Sequence, residues 1–116
     1  SPEVHVARVE IQQVLVNLLV NAVQAMKATP LGKRTIEVAT SVESLDSTVS
    51  IRDHGHGISS DRMAQIFAPF FSTKSGGLGI GLSISSRIVQ SHSGQLEARN
   101  HEEGGTTFIF SLPVVK

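Results

Sequence analysis

The sequence predicts a two-layer α/β sandwich, a mixed and mostly antiparallel sheet with helices on one face. Three observations carry this. A long helical apolar repeat opens the chain, two short alternating segments follow it, and a second helical repeat leads into a final pair of alternating segments. Strands that follow each other across short polar turns pair as hairpins, hence antiparallel. The 116 residues suit one small domain, and no linker or internal repeat divides them, so 1–116 is read as a single unit.

Each element has its own signal. Residues 9–28 read as a helix whose buried face carries Val14, Leu15, Leu18, Leu19, Ala22 and Met26, closed by Pro30 and Gly32. Residues 35–42 and 48–53 alternate, with Ile36, Val38 and Val42 on one side of the first and Val49 and Ile51 on one side of the second. Ser59, Ser60 and Asp61 mark a helix start, and 60–67 reads as a short helix. Residues 70–81, with Gly76, Gly77, Gly79 and Gly81, read as a mobile loop. A helix over about 80–92 turns Ile84, Ile88 and Val89 inward, with Gly94 beyond its end. Strands return at 95–99 and 106–112, joined by Glu102-Glu103-Gly104-Gly105.

Composition narrows the function. Ten Lys and Arg balance ten Asp and Glu, so no basic field draws the chain to nucleic acid or to an anionic membrane. The absence of cysteine excludes disulfides, thiolate metal sites and cysteine nucleophiles, and fits a reducing compartment. No apolar run is long enough to span a bilayer and no signal peptide is visible, so the expectation is a cytoplasmic domain without direct membrane contact. The abrupt start at Ser1-Pro2-Glu3 reads as a piece cut from a longer protein.

Three clusters carry chemistry. Gln13, Asn17 and Asn21 are four apart and form one stripe on the first helix, hemmed by apolar residues. A partly buried polar row needs partners; a solvated face, or amides bonded to a neighbouring loop, fits the spacing equally well. Asp53-His54-Gly55-His56-Gly57-Ile58 puts a carboxylate at a strand end beside an unobstructed backbone. Such a carboxylate can accept from an exocyclic amine while the glycines admit a planar ring, although a plain turn explains the same residues. His54 and His56 have no third ligand nearby and make a poor metal site. Ser75-Gly76-Gly77-Leu78-Gly79-Ile80-Gly81-Leu82 runs straight into a helix, and backbone N–H groups in that setting bind phosphate. The string is neither a P-loop, which needs Gly-Lys-Ser/Thr, nor a dinucleotide fingerprint, whose third glycine is missing here.

Together these motifs resemble the catalytic ATP-binding domain of sensor histidine kinases, within the Bergerat group that includes DNA gyrase, Hsp90 and MutL. Gln13 to Ala22 is similar to the N box, Asp53-x-Gly55-x-Gly57 to the G1 box, Phe67 to Lys74 to the F box, Gly77-x-Gly79-x-Gly81-Leu82 to the G2 box, and Gly104 to Phe108 to the closing strand motif. The resemblance implies Mg·ATP binding and transfer of the γ-phosphoryl group to a histidine on a separate helical dimerisation domain of the same protein, with a response regulator served indirectly. It places Asn21 on Mg²⁺, and Asn17 and Gln13 beside the phosphates as the catalytic amides. Asp53 would bond the adenine amino group, Gly55 and Gly57 would make room for the base, and Ile58 and Leu82 would lie against the nucleotide. Lys74, Gly77, Gly79 and Gly81 would face the phosphates, and Thr106 would lie near the adenine through a water.

The chain also departs from the family pattern. Gln24 and Ala25 stand where many members carry a phosphate-binding Lys and an aromatic residue against the base. The compensating cation is expected from Lys74 or Arg87. The Gln-Ala-Met end of the first helix and the short lid resemble the oxygen-sensor and nitrogen-regulation kinases. No segment resembles the phosphoacceptor hairpin, so little activity is expected of the chain alone. Asn17 stands where the gyrase and Hsp90 group has a catalytic glutamate, which argues against simple hydrolysis. A serine kinase of the anti-sigma type and a nucleotide-sensing module without transfer activity are the competing readings.

Overall fold

A computed structural model describes the backbone of residues 2–43, 46–68 and 78–113, and the side chains of 9–42, 46–68 and 82–113. In order the elements are α1 (Pro2–Ala25), a 3-10 turn (Leu31–Lys33), β1 (Glu37–Glu43), β2 (Asp46–Arg52), α2 (Ser60–Met63), α3 (Leu78–Ser91), β3 (Gln95–Asn100) and β4 (Thr106–Pro113). The strands form one sheet in the order β1-β2-β4-β3. Every pairing among them is antiparallel, so the mixed character expected from the sequence is absent among the described strands.

α1 is uninterrupted because no glycine or proline follows Pro2 until Pro30. Its end tightens into i→i−3 bonds, from Met26 N–H to Val23 O and from Lys27 N–H to Gln24 O. The Arg34 guanidinium then donates to the carbonyls of Thr29 (2.7 Å) and Lys27 (2.8 Å). α2 is shorter than the 60–67 expected. Ser59 caps it by accepting from Arg62 N–H, but it gives way to turns after Met63. α3 ends in a Schellman arrangement: Gly94 N–H reaches Val89 O, Ser93 N–H reaches Gln90 O, and Ser93 itself takes φ 64°. Gly94 is needed for space, because a Cβ there would lie 2.0 Å from the Ser111 carbonyl oxygen.

The register fixes which side chains share a face. Ile51 pairs with Phe108, and Phe108 with Ala98; two positions further on, Val49 pairs with Phe110, and Phe110 with Leu96. Directly opposed residues point the same way, so these six make the face on which the helices pack. Val14, Leu18 and Ala22 of α1, Leu82 and Val89 of α3, and Ile66 after α2 complete the buried core.

Some expected core positions are corrected. Val38 is 56% and Val42 69% exposed, because β1 is an edge strand and the helices pack over β2, β3 and β4. Leu19 and Ile84 also lie on exposed surface, each beyond the edge of its helix's buried stripe. Residues 70–77 of the expected loop lie outside the described residues, and 78–81 already belong to α3.

Candidate functional site

The packed face of the sheet changes chemistry toward one end. Beyond Ile51, Phe108 and Ala98 the same face carries Asp53, Thr106 and Asn100, with Asn100 and Thr106 opposed across β3 and β4. Asp53 continues the ladder by donating its backbone N–H to Thr106 O at 2.9 Å. The polar end of the face forms one side of a cavity of about 940 Å³. The other walls are the end of α1 (Asn21, Gln24, Ala25), the 56–59 segment, Arg62 and the start of α3 (Leu82). Ile58, Ile66, Leu82 and Phe108 make it largely apolar, with a few convergent polar groups, as small-molecule sites are.

Asp53 is the best-buried polar group there, only 1% exposed. A buried carboxylate needs hydrogen-bond donors. Its Oδ1 accepts from Gly55 N–H at 2.9 Å and from Thr106 N–H at 3.2 Å. Both bonds end on one oxygen, which leaves Oδ2 for a ligand.

Of the residues the sequence singled out, Asn21, Asp53, Gly57, Ile58, Leu82 and Thr106 all line this cavity. Gln13 and Asn17 do not. Gln13 is exposed and donates from Nε2 to Asn17 Oδ1 at 2.9 Å, and Asn17 donates from Nδ2 to Ser85 Oγ on α3 at 3.1 Å. The amide stripe thus begins as a strut between α1 and α3 and reaches the cavity only at Asn21. Gly79 and Gly81 sit in the first turn of α3, where helix N–H groups have no intrahelical partner. Lys74 and Gly77 lie outside the described residues.

The glycines at 55 and 57 also serve the packing around the cavity. A Cβ on Gly55 would lie 2.3 Å from the Ala25 carbonyl oxygen, so this glycine lets the end of α1 approach. Gly55 lines a second hollow of about 610 Å³, which shares Ala25, Ala28 and His56 with the first. Gly57 has φ +80°, and a Cβ there would crowd Asn100 Oδ1 at 3.2 Å.

Several cavity residues escaped the sequence reading. Arg87, one of the two cations expected, is exposed on α3 and is absent from the lining, and Lys74, the other, lies outside the described residues; Lys27 and Arg62 are the cations that line the cavity among the described residues. Asn100 is the other omission. Counting back from Thr106 across the Gly104-Gly105 turn would have paired it with Thr106. His54 bonds Glu37 Oε2 through Nε2 at 2.8 Å, with Arg52 on the same oxygen at 3.9 Å. Among the described residues no three His, Asp or Glu side chains gather as a cation site.

Comparison with known proteins follows the same lines. Residues 7–116 match the family model for histidine kinase-, DNA gyrase B-, and HSP90-like ATPases. The chain is 42% identical over 108 residues to the sensor protein FixL of Bradyrhizobium diazoefficiens, covering 91% of this chain and 21% of that protein. It is 37% identical over 114 residues to the sensor histidine kinase ZraS of Escherichia coli K12, covering 97% of this chain and 23% of that protein. The chain therefore spans about a fifth of the length of these relatives. Among solved structures, the catalytic domain of the histidine kinase ThkA superposes with a TM-score of 0.80 at 36% identity, covering 91% of this chain and 67% of that one. The mycobacterial sensor histidine kinase MprB superposes with a TM-score of 0.76 at 26% identity, covering 90% of this chain and 72% of that one.

Proposed function

The chain belongs to the histidine kinase-, DNA gyrase B-, and HSP90-like ATPases, and from that membership we propose that it is the ATP-binding catalytic domain of a sensor histidine kinase. It binds Mg·ATP and donates the γ-phosphoryl group to a histidine on a helical dimerisation domain of the same protein, which in turn serves a response regulator. The observation that carries this is Asp53, a buried carboxylate held by two backbone donors through one oxygen, with the other left for the cavity.

The base half of the site is Asp53 and Thr106, with Gly57 and Ile58 at its rim. Asp53 accepts from the adenine amino group. Ile58 and Leu82 supply apolar surface against the nucleotide. The phosphate half is Asn21, Lys74 and the N–H groups around Gly77, Gly79 and Gly81, with Arg62 and Lys27 as further cations at the wall and Asn17 one helical turn behind Asn21, outside the lining.

The donor set fits Mg²⁺. Asn21 offers a hard amide oxygen at the cavity wall, and Mg²⁺ takes few protein ligands, drawing the rest from phosphate and water. Bound there, the ion would neutralise phosphate charge. Gln13 orients Asn17, and Ser85 ties Asn17 to α3.

Phosphoryl transfer depends on positioning and charge neutralisation. In the transfer, the accepting imidazole nitrogen bonds to the γ-phosphorus as the bond to the β–γ bridging oxygen breaks, and ADP leaves. The domain therefore needs no base of its own, and an amide at position 17 suffices. No described helix is long and apolar enough to cross a membrane, and we place the domain in the cytoplasm, where ATP is available.

Incubation with γ-labelled ATP and an added helical phosphoacceptor domain tests the reading. Acid-labile label on that domain is expected, with negligible steady-state hydrolysis by the chain alone. Vigorous hydrolysis without transfer would overturn the assignment.

A further inference from the structure

Asn100 ends β3 at the cavity rim, and the nucleotide motifs do not include it. After Asp53 the chain leaves the sheet, so the peptide groups of Ile58 have no neighbouring strand. Asn100 supplies both partners: its Oδ1 accepts from Ile58 N–H at 2.9 Å, and its Nδ2 donates to Ile58 O at 2.5 Å. A primary amide holds an acceptor and a donor in one plane, as a peptide does. This pairing also fixes which way the amide points, because reversing it would set donor against donor and acceptor against acceptor.

The same Oδ1 accepts from Thr106 Oγ1 at 3.1 Å. A hydroxyl has one proton and two lone pairs. With the proton committed to Asn100, Thr106 presents only acceptor character to the cavity. Asp53, whose Oδ1 already holds Thr106 N–H, presents acceptors as well. The polar end of the cavity is thus an acceptor surface, and Asn100 maintains it.

We propose that Asn100 is a specificity-determining positioning residue: it straps Ile58 to β3 and directs the Thr106 proton away from the ligand, so that the site takes a base with an exocyclic amine and refuses one with a carbonyl at that edge. The inference rests on the nucleotide reading above and extends it to the choice between ATP and GTP.

Calorimetric titration of the chain and two variants with Mg·ATP and Mg·GTP tests it. In Asn100→Ala the Thr106 proton is released and can turn toward a guanine carbonyl. The ATP-to-GTP affinity ratio should fall by roughly tenfold, the scale of one or two net hydrogen bonds. Asn100→Asp keeps an acceptor for Thr106 but cannot donate to Ile58 O and adds negative charge. It should weaken both nucleotides by a similar factor and retain most of the ratio.

Hydrogen exchange at the Ile58 amide, without nucleotide, should speed up in Asn100→Ala. A purely structural role would lower the melting temperature and both affinities together with the ratio unchanged, and that outcome overturns the proposal. So does equal loss of the ratio in the two variants. If the unaltered chain binds neither nucleotide, the nucleotide reading fails and takes this proposal with it. If it binds ATP selectively and Asn100→Ala is equally selective, this proposal alone fails.

Discussion

The Asp53 carboxylate and the Thr106 backbone N–H lie 3.2 Å apart, joining the chain just past β2 to the first residue of β4 at the inner end of the cavity. The contact holds the carboxylate by one oxygen. In Asp53→Asn the amide oxygen can still take both backbone donors, which leaves an NH₂ group where Oδ2 had been. A donor then faces the donor of the adenine amino group. Hydrogen bonds to charged groups are worth about 1.5–3 kcal/mol, so ATP affinity should drop by roughly one to two orders of magnitude. Calorimetry with ATP and with inorganic triphosphate separates the halves of the site. Triphosphate binding should survive, and an unchanged ATP affinity would remove Asp53 from the site.

Gly55 and Gly32 make a matched pair. A Cβ at Gly55 would meet the Ala25 carbonyl oxygen at 2.3 Å, whereas one at Gly32 meets nothing within 4 Å. Both keep backbone angles that alanine tolerates, so space alone distinguishes them. Gly55→Ala should cost about 1–3 kcal/mol from overpacking against backbone that cannot yield. Gly32→Ala should be neutral, or stabilising by about 0.4–1 kcal/mol through the unfolded chain. Urea unfolding of both variants checks the contrast, and equal effects would contradict the packing of α1 on the Asp53–Gly57 segment.

The two faces of α1 differ as sharply. Leu18 is fully buried, while Val23, five residues on, is 59% exposed. Leu18→Ala should cost about 2–5 kcal/mol by opening a cavity. Val23→Gln should stay within about 0.5 kcal/mol. Melting curves decide it, and a large loss at Val23 would show that the outward face of α1 is covered by the chain itself.

These contrasts mark where the sequence was legible. The strand pairs, the two long helices and the core positions Val14, Leu18, Ala22, Ile51 and Val89 followed from periodicity, since each lies on a face that repeats, whereas α2 was signalled by its cap alone and stops at Met63, and α1 runs Pro2–Ala25 where 9–28 was expected. Val38, Val42 and Ile84 misled because alternation and helical spacing report a face, while coverage of that face depends on where neighbouring elements stop. The site was readable where a motif is local. Asp53, Gly57 and Ile58 are consecutive or nearly so, and they meet in the cavity. Asn100 and Arg62 stand close in sequence to Thr106 and Ile58 but outside the motif strings, so only the strand register and the turn of α2 bring them to the cavity. The reason for Gly55 was hidden likewise: the atom it avoids belongs to Ala25, thirty positions away.

Asn21 offers the sharpest test of the phosphate half. It lies half-buried on the cavity wall at the end of a stripe whose earlier members, Gln13 and Asn17, are engaged with each other and with Ser85. If its amide oxygen is the protein's hard ligand for Mg²⁺, Asn21→Ala removes that ligand and little else. Alanine is the better helix former, so α1 should persist and the melting temperature should change little. ATP affinity in Mg²⁺ should fall to about the level seen with chelator, while affinity in chelator stays unchanged. Transfer of label to an added phosphoacceptor domain should be lost, because charge neutralisation is what the transfer requires. A structural amide makes the opposite forecast: the variant would melt early and keep its response to Mg²⁺. Measuring affinity with and without Mg²⁺ beside a melting curve separates the two, and an early-melting variant that still binds ATP in an Mg²⁺-dependent way would take Asn21 out of the metal site.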